Sequence, residues 1–312
     1  MKNKLLLAVL ITSVITNAVF AAFLIAPQIS KLKAGKLANS TKANVTQANT
    51  TGKDNLFDEI NPTSGFTINA SYGDLGPKML AMGVIDKEKF VGTYSKSNQP
   101  LTSEQEEILT KGSDSKITIT RENSYFLLNF FWAAGLANKS QILDEGDMTK
   151  YGGIKEAGSF ASTGGWTLAK GDAMNYYSKS ALIPLTEEQE ARVTSVAENI
   201  FRPCCNNSTA FPDCNHGMAL LGVLQLMAGS GATEKEMYEA GKYFNAFWFP
   251  GNYYDLALYF KNKENRSFKD MDAKTLLGKD YSSASGWQAA KQWLADQGLV
   301  QQPPKQGGGC GV

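Results

Sequence analysis

The sequence predicts a mainly α-helical domain with at most a small β element, preceded by an N-terminal transmembrane or signal segment and a flexible stalk. Three observations favour this fold class. Residues that can cap helices recur along the chain, apolar segments of helical length accompany them, and a clear strand-like alternation of polar and apolar residues is noted only at residues 116–120. Any sheet is therefore expected to be small.

The first element is an apolar segment within residues 1–30. After a short basic start, residues 5–26 contain no charged side chain, and this is about the length that crosses a bilayer as a helix. An uncleaved signal-anchor is favoured because the apolar pattern continues beyond Ala21 and Ala22, where a signal peptide would be cut. The alternative is a cleaved signal peptide and a secreted product.

Both alternatives place the rest of the chain outside the cytoplasm, and we expect an anchored, outward-facing domain. Residues 31–63 are rich in small polar side chains, so they cannot offset their conformational entropy and are expected to form a flexible linker. The mainly helical globular domain is assigned to residues 64–300, with a subdivision near 150–172 left open. Residues 301–312 are expected to be a flexible tail containing glycine and cysteine.

Several helix starts carry a hydroxyl residue followed three positions later by Glu or Gln, the pattern of a capping box. These pairs are Ser103 with Glu106, Thr186 with Gln189, and Thr233 with Glu236. Further helices are predicted at residues 124–136, 217–228, 253–263 and 286–296. The first two of these are apolar nearly all round, which is typical of helices inside a core. The aromatic segment 243–260 is also interpreted as core.

The charge balance argues against nucleic-acid binding. Lys and Arg total 31 and Asp and Glu total 30, so the chain has no strong field of either sign to attract a polyanion. The sequence also lacks the usual phosphate-loop, dinucleotide-binding and nucleophile-elbow motifs. Whether the protein is an enzyme, and its oligomeric state, are left open at this stage.

The residues best suited to metal chemistry lie close together between positions 204 and 216. Cys204, Cys205, Cys214 and His216 include three of the four cysteines and the only histidine of the chain. Sulfur and imidazole nitrogen suit zinc, copper or an iron–sulfur cluster far better than magnesium or calcium, which prefer oxygen. We therefore predict a transition-metal or redox-cofactor site here.

Adjacent side chains of an extended chain point to opposite sides. One member of the Cys204–Cys205 pair, together with Cys214 and His216, is therefore the preferred set for a single ion. Accessory ligands are also considered: Cys310 in the tail, Met218 and Asp213.

The helix that follows the cluster is expected to be capped by Asp213 or Asn215. Cys214 would then lie at the positive end of the helix dipole, which stabilises a thiolate.

The expected function is metal capture, transfer or redox work by a membrane-tethered extracytoplasmic protein, with a metal donor or acceptor protein as partner. Two alternatives stay open. Cysteines of exported proteins often form disulfides. In that case the protein would be a cell-surface structural or interaction domain whose cysteines only stabilise its fold. Alternatively, the protein is an envelope thiol–disulfide oxidoreductase with Cys310 as a second thiol. His216, two positions from Cys214, favours the metal hypothesis, because a structural disulfide does not need an imidazole beside it.

Overall fold

The computed structural model of the protein describes residues 55–150 and 152–304. The membrane segment 1–30, most of the linker 31–63 and Cys310 lie outside the described residues, so what the sequence predicts for them stays a prediction. Within the described ranges, no helix combines the length and the apolar character needed to span a bilayer.

The described part of the chain is mainly helical with a small sheet, as predicted. Its α-helices are α1 Leu75–Met82, α2 Lys87–Lys96, α3 Ser103–Thr110, α4 Ser124–Ala137, α5 Gln141–Glu145, α6 Gly153–Ala157, α7 Glu187–Ala197, α8 Asn215–Gly229, α9 Glu234–Trp248, α10 Pro250–Glu264, α11 Ala273–Leu277, α12 Lys279–Ser282 and α13 Ala284–Asp296. Residues 55–60 are also helical, and Ala173–Asn175 and Phe268–Asp270 form short 3-10 turns. The strands are β1 Phe66–Gly73 and β2 Ser113–Ile119.

The sheet consists of β1 and β2, which pair antiparallel with Phe66 opposite Ile119. The expectation that only residues 116–120 alternate is wrong, because β1 alternates as well. Its buried positions are Ile68, Ala70 and Tyr72, and the residues between them are more exposed. Alanine and glycine are uncommon in strands, and their presence weakened the signal in this segment.

The predicted capping boxes form at two of the three helix starts. Thr186 with Gln189 begins α7, and Thr233 with Glu236 begins α9. At α3 the box is formed by Thr102 and Gln105, one residue earlier than predicted. Thr102 and Ser103 both precede a Glu or Gln by three positions, so the sequence pattern permits either register.

Replacing Thr186 with alanine is expected to lower the free energy of unfolding by about 1 kcal/mol. The reason is that the Gln189 backbone N–H loses the hydroxyl to which it donates at 3.3 Å. Thr186→Ser keeps a hydroxyl and is the matched control, with little expected change. Denaturant titration followed by circular dichroism measures both variants, and equal losses would contradict the capping role.

Helices α4 and α8 lie at the centre of the core and approach each other backbone to backbone. Residues 126–137 of α4 and 216–225 of α8 are all buried, as their all-round apolar character predicted. A Cβ atom added at Gly135 would lie 2.2 Å from the carbonyl oxygen of Met218, and one at Gly222 would lie 2.6 Å from that of Phe131. Since only glycine fits at such separations, this contact fixes the position of α8, whose N-terminal end carries Cys214 and His216.

Candidate metal centre

The chain between α7 and α8 folds back on itself and is tied to a third helix. Phe201 and Ser208 form an antiparallel bridge, which closes the loop that contains Cys204 and Cys205. The Cys205 carbonyl accepts the N–H of Ala284 at 2.8 Å, at the start of α13. Backbone hydrogen bonds at both ends therefore hold the loop in one shape.

Three cysteine sulfurs converge in this loop, and all three are free thiols. The Cys204 Sγ lies 3.5 Å from the Cys214 Sγ and 3.9 Å from the Cys205 Sγ. Two sulfurs on one tetrahedral zinc ion are about 3.8 Å apart, given a Zn–S bond of about 2.3 Å. Adjacent cysteines were expected to diverge, but residues 203–206 form a turn and a bend that bring both sulfurs to one side.

His216 brings its imidazole to the same cluster. A ring nitrogen of His216 and the sulfurs of Cys204 and Cys214 all lie within 4.8 Å of one another. The side chain is 7% exposed and packs against Phe249 and Trp248, with ring centroids 4.3 and 6.0 Å away. Aromatic residues of segment 243–260, predicted as core, therefore also orient the ring.

The Nε2 atom of His216 is buried and has no hydrogen-bond partner among the described residues. An unpaired buried nitrogen is unfavourable, and such atoms are usually satisfied by protein, water or an ion. Together with its position near two sulfurs, this makes the imidazole an available metal ligand.

The sulfur of Cys214 itself caps α8. Its Sγ accepts the backbone N–H of Gly217 at 3.4 Å. The prediction that Asp213 or Asn215 provides the cap is wrong, because the Asp213 carboxylate pairs with Arg202 and the Asn215 Oδ1 accepts the N–H of His216. Cys214 consequently lies at the positive end of the helix, as expected, but in direct contact with a free N–H.

Arg202 is a site residue that the sequence reasoning missed. Its guanidinium is fully buried, and Nη2 donates to the Cys205 Sγ at 3.4 Å and to the Asp213 Oδ1 at 3.0 Å. Its Nε and Nη1 atoms have no hydrogen-bond partner among the described residues. An arginine beside proline in a polar loop gives no sequence signal of burial, since its partner Asp213 is brought in by the fold.

Hydrogen bonds and charge shift the pKa values of Cys204 and Cys214 in opposite directions. Hydrogen bonds from Cys204 and Cys205, with the positive charge of Arg202, hold the pKa of Cys214 well below its usual range. Hydrogen bonds with Cys205 and Cys214 raise the pKa of Cys204. These interactions favour the thiolate form of Cys214 and the protonated form of Cys204.

The reduced, metal-free protein is expected to show ultraviolet thiolate absorption at neutral pH. This absorption should fade only when the pH falls through the lowered pKa of Cys214, because the Cys214 thiolate binds a proton only in that lower pH range. Cys214→Ser should lose the absorption at neutral pH, whereas the control Ser208→Ala, at a half-buried hydroxyl in the same loop, should keep it. Thiolate absorption that develops only in the ordinary alkaline range of cysteine would contradict the assignment.

The accessory candidates occupy different surroundings. Asp213 belongs to a second group with Cys205 and Cys214, whose ligand atoms also lie within 4.8 Å of one another. Its carboxylate is already held by Arg202 and by the Asn207 Nδ2, the latter at 2.9 Å. Met218 is fully buried in the apolar core. Cys310 lies outside the described residues.

The four principal residues of the predicted site, Cys204, Cys205, Cys214 and His216, are thus brought together by one loop and one helix start. Comparison of the chain with known protein families, with curated proteins and with solved structures found no match. What can be said of its chemistry therefore depends on the geometry of this cluster, which could hold a metal ion.

Proposed function

We propose that the protein binds one transition-metal ion, zinc(II) or copper(I), through Cys204, Cys214 and His216. The observation that carries the proposal is the convergence of two sulfurs and an imidazole nitrogen within 4.8 Å, with a buried Nε2 that lacks a partner among the described residues. Cys205 is placed to add a third sulfur, 3.9 Å from that of Cys204. A set of thiolates with one imidazole suits both of these ions.

The spacing of the ligands supports a single ion more than an iron–sulfur cluster. In a cluster, ligands that bind different irons are separated by the inorganic core. The Cys204 and Cys214 sulfurs are 3.5 Å apart, close to the separation of about 3.8 Å expected when two sulfurs share one zinc ion.

The setting we propose is a domain outside the cytoplasm, tethered by residues 1–30. The uncharged apolar run at residues 5–26 and the polar linker that follows support this location. There the site would capture or transfer metal, or support redox work, in exchange with a donor or acceptor protein.

The same geometry supports a second candidate, a structural or interaction domain that is stapled by a disulfide. The Cys204 and Cys214 sulfurs lie 3.5 Å apart and need to approach by only about 1.5 Å to bond. An oxidising compartment would favour that bond.

Elemental analysis and thiol counting on the full-length protein distinguish the two candidates. The protein is purified anaerobically in detergent without chelators, and thiols are counted after denaturation. Metal binding predicts one metal ion per chain and four free thiols, one for each cysteine. A staple predicts no metal and the loss of two thiols, and that result would refute the proposed function.

A further inference from the structure

We infer that metal enters and leaves the centre at Cys204 by direct ligand exchange with a thiolate-bound metal complex. This inference rests on the proposed function and adds to it the route and the chemical class of the donor or acceptor. It depends on which ligand of the cluster is exposed and on which side of the cluster is filled by neighbouring side chains.

The ligands are buried to different degrees. Cys204 is exposed, Cys214 is partly buried, and His216 is 7% exposed behind Phe249 and Trp248. An incoming complex that carries its own ligands needs an accessible sulfur for the first bond. Among the ligands, Cys204 best meets that requirement.

A second side of the cluster is blocked by Arg202. Its fully buried guanidinium fills the space above Gly217, where an added Cβ would lie 2.7 Å from the Arg202 Cζ. The same group contacts the Cys205 sulfur at 3.4 Å. Because this side is already filled by the buried guanidinium, the open face at Cys204 is the one that an incoming complex can reach.

The sulfur spacing permits a stepwise transfer. The Cys204 Sγ is 3.5 Å from the Cys214 Sγ, so an ion bound to Cys204 is within reach of the second ligand without a large movement of the loop. Stepwise exchange keeps the metal coordinated throughout, which avoids the release of a free soft cation.

The exchange balances without electron transfer. In the loaded protein, the bond from the Cys204 sulfur to the resident ion breaks while its bond to the incoming ion forms, and a donor thiolate passes from the incoming ion to the resident ion, which leaves with it. Cys214 and His216 then replace the remaining donor ligands. The oxidation state of the metal does not change, so no oxidant or reductant is required.

Isotope exchange on the full-length, zinc-loaded protein tests this route. Protein loaded with one zinc isotope is mixed with the zinc–glutathione complex of another, and the isotope ratio of the protein-bound zinc is followed by mass spectrometry. Direct exchange predicts a rate that rises in proportion to the concentration of the complex. A rate independent of that concentration would mean that zinc dissociates first and would overturn the inference.

Two further donors define the chemistry of the partner. Zinc bound to a Cys-x-x-Cys peptide should also exchange in proportion to its concentration, and a faster rate than with glutathione indicates a protein donor. Zinc nitrilotriacetate, which offers oxygen and nitrogen ligands, should exchange more slowly. Equal rates for the nitrilotriacetate and thiolate complexes would contradict a thiolate-specific route.

Alkylation identifies the cysteine at which exchange begins. Iodoacetamide treatment of the zinc-loaded protein, followed by peptide mass spectrometry, should modify Cys204 before Cys214. Ser208→Ala, in the same loop, is the control variant and should keep the dependence on donor concentration, because Cys204, Cys205, Cys214 and His216 all stay in place. Earlier modification of Cys214 would overturn the inference. If the protein holds no zinc at the outset, it is the proposed function that has failed.

Discussion

Replacing Cys214 with serine is expected to abolish metal retention and to leave the helical circular dichroism signal nearly unchanged. Cys214 belongs to both groups of ligand atoms, so its loss removes a sulfur from either arrangement. A serine hydroxyl is a poor ligand for a soft ion, yet it can still accept the Gly217 N–H as an ordinary helix cap. Elemental analysis after gel filtration and far-ultraviolet circular dichroism measure the two effects.

Cys205→Ser is the matched control for this substitution. It removes the third sulfur but leaves the set of Cys204, Cys214 and His216 intact, so metal is expected to be held less tightly than in the unchanged protein but still to be retained. Unchanged metal content in Cys214→Ser would refute the assignment. If the cysteines act only as a staple, Cys214→Ser should instead lower the free energy of unfolding by about 2–4 kcal/mol.

Replacing Gly135 with alanine is expected to lower the free energy of unfolding by about 2–3 kcal/mol. The new methyl group would lie 2.2 Å from the carbonyl oxygen of Met218, which belongs to the backbone of α8 and cannot rotate away. Helices α4 and α8 would have to separate, and the packing of the surrounding buried side chains would loosen. Denaturant unfolding of the full-length protein in detergent, followed by circular dichroism, gives the change in stability.

Gly92 provides the control for a helical glycine without neighbours. It lies inside α2, and an added Cβ would meet nothing within 4 Å. Gly92→Ala is therefore expected to raise the free energy of unfolding by about 0.5–1 kcal/mol, because alanine favours the helix. Stabilisation by both alanine substitutions would show that the close contact between α4 and α8 is misjudged.

The helices could be predicted because their signals are local. Capping pairs such as Thr233 with Glu236 and the all-round apolar segment 124–136 act within a few residues, and the structure confirms both. Strand β1 was missed although Ile68, Ala70 and Tyr72 alternate with more exposed residues, because its small residues weakened the pattern. The contact at Gly135 was not legible, because it depends on which helix packs opposite.

In the candidate site, too, the residues with local sequence signals could be predicted, and the contacts that depend on the fold could not. Residue type and spacing were enough to select Cys204, Cys214 and His216, whose ligand atoms the fold brings within 4.8 Å of one another. The roles of neighbouring groups were not predictable. Arg202 is buried beside Asp213 and the Cys205 sulfur, which the fold brings to it, and Cys214 rather than Asp213 caps α8.

The glycine contact between α4 and α8 is expected to make the two sides of the metal centre differ in flexibility. One side is the start of α8 after His216, and the other is the loop around Cys204. Backbone amides that follow His216 belong to a helix locked into the middle of the core, so their hydrogen exchange should require opening of most of the molecule. Amides near Cys204 and Asn206 lie in a surface loop and should exchange through small local openings. The side of the centre formed by α8 is thus expected to be rigid, whereas the side formed by the loop around Cys204 is expected to open on a much shorter timescale.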